Sequence, residues 1–166
     1  MSYKHFTGVW SLKMGNLKFE ELETVDNIKD VVKNLFDVEL NISGGWGYNE
    51  HSALIVHDLS MPIEQFMNLF ATLRANIEMN LTLDSDKRYG GITVQFEREE
   101  NHSIENKKLI VATFKISAMR ETDYAQFIKE YKENYGKKEF DLADHFKRRK
   151  EQTLTRLMDY WFIKDA

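Results

Sequence analysis

Val38-Glu39-Leu40-Asn41-Ile42-Ser43, then Gly44-Gly45-Trp46-Gly47-Tyr48-Asn49, then Ser52-Ala53-Leu54-Ile55-Val56-His57, is the stretch whose reading decides the fold. Val38, Leu40 and Ile42 alternate with Glu39, Asn41 and Ser43, and a period of two places one set on a buried face and the other in water. Glycines at positions 44, 45 and 47 weaken any regular element, so the chain must turn there. The apolar run Ala53–Val56 then reads as a returning strand, and the pair as a β-hairpin.

Outward from this hairpin, Val25, Ile28, Val31, Val32, Leu35 and Phe36 recur at helical spacing, with Thr24 or Asp26 as cap. Residues 62–80 form the best-marked helix, with Ile63, Phe66, Met67, Phe70, Leu73 and Ile77 on one stripe. Ser60 stands as its cap and Pro62 in its first turn. A second hairpin follows. Ile92, Val94 and Phe96 make one inward face, and Ile110, Ala112, Phe114 and Ile116 the other, across a polar turn at 100–106. Two helices are expected after that. Tyr124, Phe127, Ile128, Tyr131 and Tyr135 mark the first, which stops at Gly136. Leu142, Phe146, Leu154, Leu157, Met158 and Trp161 mark the second, opened by Asp141. Segment 4–13 carries imperfect alternation and is a candidate first strand.

The expectation is one α+β domain over residues 1–166, an antiparallel sheet of four to five strands with helices packed on it, in the order (β)αββαββαα. With the first strand included, the opening βαββαβ matches a ferredoxin-like arrangement extended by two C-terminal helices.

Composition narrows the function classes. The chain has 166 residues, 42% hydrophobic and 30% charged, which supports a packed core rather than disorder. It has no cysteine, which excludes disulfides, thiolate metal sites and thiol nucleophiles. The opening residues lack an apolar signal-peptide core, and no run is long enough to span a bilayer, so a cytoplasmic location without a membrane partner is expected. The Lys, Asn, Ile and Glu usage fits an AT-rich, bacterial genome. A net charge of −4 disfavours nucleic acid, and Lys147-Arg148-Arg149-Lys150 fans around a helix rather than lining one face. No family signature, cofactor motif or metal-ligand spacing is present. The sequence lacks a G-x-S-x-G elbow, an H-E-x-x-H helix and a P-loop.

The residues left with functional promise sit on the glycine loop. Gly45, Trp46, Gly47, Tyr48 and Glu50 are expected to form a contact surface, because rings on a glycine-rich turn anchor interfaces. The leading expectation is a protein-binding or regulatory module without catalytic activity: an inhibitor, an immunity-type protein or a regulatory subunit. Its partner is another protein or a second copy as a homodimer, the ring-rich tail Asp159–Ile163 docking on its own core or on that copy. The alternative is a small-molecule enzyme in which His51 or His57 acts as general base and the Gly44–Gly47 loop binds an anionic group. The two histidines would lie roughly 20 Å apart on one strand at about 3.3 Å per residue, which excludes a metal shared between them alone.

Overall fold

A computed structural model of the chain describes residues 16–165. The candidate strand at 4–13 lies outside the described residues. Helix α1 (Ile28–Phe36) is capped by Asn27, whose side chain accepts from the Asp30 N–H at 3.3 Å. Strands β1 (Ile42–Gly44) and β2 (Leu54–Val56) form the first hairpin. Helix α2 (Ile63–Asn76) runs into a π-helical turn over Ile77–Leu81, and its N-cap is Pro62, with no side-chain bond. Strands β3 (Tyr89–Ile104) and β4 (Lys107–Arg120) form a long second hairpin, turning through Glu105 in the left-handed region. Helices α3 (Glu121–Asn134) and α4 (Leu142–Gln152) then precede a fifth strand, β5 (Leu154–Asp165).

The α+β class holds, and the sheet has five strands in the order β1-β2-β5-β4-β3. It is mixed rather than wholly antiparallel, because β2 and β5 run parallel, with Leu54 opposite Phe162. The second terminal helix is shorter than expected. Residues 154–163 satisfy both a helical and an alternating template, and the alternating one wins. Met158, Tyr160 and Phe162 enter the core, while Asp159, Trp161 and Ile163 take the other face. The ring-rich tail therefore docks inside its own domain as a central strand.

The core lies between one sheet face and α2. Phe66 and Phe70 meet Phe162 edge-on, with centroids 6.4 and 5.9 Å apart, and Phe114 meets Tyr160 at 5.3 Å. Each such ring contributes about 1.5–3 kcal/mol through burial. Every residue from Leu109 to Phe114 is buried, so β4 is shielded on both faces. Strand β3, at one edge, carries charge in Glu97, Glu99 and Glu100, which blunts edge-to-edge pairing. Its inward Phe96 keeps much of its ring in water while resting against Phe114.

Candidate functional site

The glycine loop turns inward. Trp46 is only 4% exposed, donates its indole N–H to the Glu23 carbonyl at 3.0 Å and stacks on Phe70. Gly47 is buried against β5, where its carbonyl accepts from the Trp161 N–H at 2.9 Å. With φ at +89° and an added Cβ placed 3.0 Å from the Trp161 carbonyl, only glycine suits this position. Tyr48 is half-buried, Gly45 partly so, and Glu50 alone of the expected contact residues is exposed. The outward surface of rings expected from sequence is replaced here by an insertion into the core.

That insertion is anchored by a buried charge cluster. Arg74 and Glu78, one helical turn apart, are fully buried, with Nε 3.3 Å from Oε2. Arg74 also donates to the Trp46 carbonyl at 3.1 Å, and its guanidinium lies 3.6 Å over the Tyr160 ring and 4.2 Å over the Tyr48 ring. The Tyr48 hydroxyl donates to Glu78 at 2.5 Å and accepts from the Leu22 N–H at 2.9 Å. Burial pushes both phenols up, and burial raises the Glu78 carboxyl against the pull of Arg74. Burial works against the Arg74 charge as well, but Glu78 and the phenols outweigh it and hold the guanidinium charged. Glu78 sits in the π-helical turn, a distortion that recurs at functional positions.

The two candidate histidines are placed on and beside the sheet face opposite α2. His57, just after β2, faces Asp165 Oδ2 through Nδ1 at 2.8 Å and Ser43 Oγ through Nε2 at 2.9 Å. An ionised carboxylate only accepts, so Nδ1 carries a proton, and in the neutral imidazole Nε2 then accepts from the serine hydroxyl. Register explains the line: Ser43 pairs with Ile55 and Ile55 with Ile163, so residues two further on, His57 and Asp165, share that face. His51 lies with Glu50, Lys107, Leu109 and Ile163 around a hollow of about 280 Å³ on the same side. Ser43 and Asp165 were not singled out in the sequence, and neither were Arg74 and Glu78.

A second surface lies on the α3–α4 hairpin. His145 is fully buried among Phe127, Phe140 and Phe146, with Nδ1 donating to Glu130 at 3.0 Å. Arg148, from the basic run, binds both oxygens of Glu130 and reaches Asp144 at 2.8 Å. These bonds, from Arg148 first and His145 second, draw the Glu130 carboxyl down to about 2. Outside this buried joint the helices show Tyr135, Phe146 and Leu142 at 64%, 47% and 39% exposure. Tyr131 links two of them, 5.0 Å from Tyr135 and 6.3 Å from Phe146.

Among the described residues no group of three His, Asp or Glu side chains is placed to hold a metal, and no helix is long and apolar enough to cross a membrane. No family model, curated protein or solved structure matches the chain.

Proposed function

We propose that the chain is a protein-recognition module, an inhibitor, immunity-type protein or regulatory subunit, that engages its partner through the α3–α4 hairpin. The observation carrying this reading is the exposed Tyr135, Phe146 and Leu142 on a helix pair, the two rings joined through the half-buried Tyr131. Helix α4 buries one residue of its eleven, His145. A helix this short is marginal by itself, and a partner laid over its outer rings would supply apolar contact that its own domain does not. Aromatic side chains in such positions dominate interface energies, each worth about 2 kcal/mol or more when fully enclosed. On this reading Gly45, Trp46, Gly47 and Tyr48 serve as scaffold, and Glu50 is the solvent-facing member of that loop.

The test is photo-crosslinking in the producing cell from a benzoylphenylalanine placed at Tyr135, with the same label at Phe96 as reference. One discrete adduct from position 135, absent from position 96 and lost with Phe146→Ser, supports the reading. Equal adducts from both positions, or none from position 135, count against it.

A further inference from the structure

We propose that Ser43, His57 and Asp165 form an acyl-transfer site that hydrolyses small carboxylic esters. This goes beyond protein recognition and uses a different face of the molecule. The geometry meets the three requirements of such a site: a nucleophile bonded to a base, a base bonded to an orienting group, and a nearby donor for the oxyanion. The Ser43–His57 and His57–Asp165 contacts, at 2.9 and 2.8 Å, provide the first two. These residues stand 14 and 108 positions apart in the chain, so the line is a product of the fold and not of local spacing.

The donor comes from Gly44. The His57 N–H donates to the Asn41 carbonyl at 2.9 Å and the Gly45 N–H to the Ala53 carbonyl at 3.1 Å. Bonded pairs alternate along an antiparallel ladder, so Ser43 is a bonded pair with Ile55, and the Gly44 N–H points away from β2. Strand β1 is the edge of the described sheet, so among the described residues no strand lies against that N–H beside the serine. An N–H from the residue after the nucleophile is a recurring oxyanion donor.

In the first step the Ser43 hydroxyl oxygen attacks the ester carbonyl carbon while its proton passes to His57 Nε2. The carbonyl electrons move onto oxygen, facing the Gly44 N–H. The tetrahedral adduct collapses, the carbon–alkoxy bond breaks, and the leaving alcohol takes the proton from Nε2. Water then repeats the sequence on the acyl-serine, releasing the carboxylic acid and restoring the hydroxyl. Asp165 positions the ring and offsets its charge when protonated. The His57 and Asp165 side chains are 35% and 45% exposed, so water reaches the acyl-serine. For the acyl chain, Ile55 and Ile163 continue from Ser43 along one row toward the hollow floored by Ile163 and Leu109. That floor lies roughly 10 Å from the serine, two strand spacings away, which favours a medium-length aliphatic acyl group over acetyl.

The experiment combines active-site labelling and turnover on the full chain. A fluorophosphonate probe followed by peptide mapping should mark Ser43, and p-nitrophenyl octanoate should turn over faster than the acetate. Ser43→Ala should remove the label. His57→Asn should lower turnover at least about a hundredfold, the low end for loss of a general base, and Asp165→Asn about tenfold given its exposure, with melting temperatures unchanged. Labelling spread over other serines overturns the proposal, as does turnover indifferent to His57→Asn. Should Ser43→Ala fail to fold, Asp165→Asn at its exposed position decides the matter by the same turnover measurement.

Discussion

Replacing Arg74 by Met tests whether the buried charge cluster holds the glycine loop in place. The substitution keeps the stem's volume and removes the guanidinium from a site with no solvent access. Three losses follow together. Glu78 keeps a buried carboxylate without its cation 3.3 Å away. The Trp46 carbonyl loses the donor at 3.1 Å. The Tyr160 and Tyr48 rings lose the cation stacked on their faces. Removing one member of a buried ion pair costs about 3–5 kcal/mol, and orphaning a buried carbonyl about 1–3 kcal/mol more. Because these overlap, the expected loss is about 4 kcal/mol, a large share of the 5–15 kcal/mol by which a domain of this size is typically stable. With a urea slope of about 2 kcal/mol per molar, the unfolding midpoint should fall by about 2 M. The double variant Arg74→Met with Glu78→Leu removes both charges and should be more stable than the single Arg74→Met, since no buried charge is stranded. A single-variant cost under about 1 kcal/mol, or a double variant whose cost is the plain sum of the two singles, would refute the reasoning.

Gly47→Ala forces a left-handed φ of +89° on alanine and sets its Cβ 3.0 Å from the Trp161 carbonyl; backbone strain alone is about 1–2 kcal/mol, so urea titration should show a loss of at least about 2 kcal/mol, and an unchanged midpoint would mean that the loop does not press on β5. Glu130 has its carboxyl drawn from the ordinary 4.5 to about 2 by Arg148 and His145. A depressed folded-state value means that this contribution is complete above 4.5 and lost as pH falls toward about 2. Melting temperature should therefore decline over that window, and the decline should be shallower in Glu130→Gln; identical slopes in the two proteins would exclude the link.

The elements were legible where one periodicity stood alone. Helix α2 carries a single stripe, Phe66, Met67, Phe70 and Leu73, and forms as the pattern requires. The β3–β4 hairpin is equally plain, its two strands alternating across a polar turn. Residues 154–163 fitted two templates, because Leu154, Leu157, Met158 and Trp161 recur at helical spacing while Met158, Tyr160 and Phe162 alternate. What decides between them is a partner that the local sequence does not contain: β4 on one side and β2 on the other offer backbone groups that only an extended segment can satisfy. The preceding helix stops at Thr153, whose hydroxyl bonds back to the Arg149 carbonyl at 2.8 Å, a local end signal obscured by the apolar residues beyond it. His145 is hidden in the sequence for a related reason. It sits among charged neighbours in sequence, yet it faces Phe127 and Glu130 of α3, with Phe140 from the connection and Phe146 from its own helix closing around it.

The glycine loop shows why a site can be invisible although its residues are in view. Glycines interleaved with rings fit a loop that displays aromatics and equally a backbone that must pass close to another backbone while the rings enter the core. Periodicity, the usual arbiter of burial, is absent from such a stretch. The choice is settled by Arg74 and Glu78, a buried pair on a helix that a helical-wheel reading assigns to the apolar stripe and its flank. Their unmet polarity is what draws the Trp46 carbonyl and the Tyr48 hydroxyl inward. With the rings held inside, the backbone at Gly44 is left at the open edge and Ser43 on the outer face beside His57. A polar phase of alternating strands is ordinarily read as the wet side of a sheet. Here Ser43, His57 and Asp165 occupy that phase on three neighbouring segments, and only the parallel pairing of β2 with β5 brings the third of them within reach.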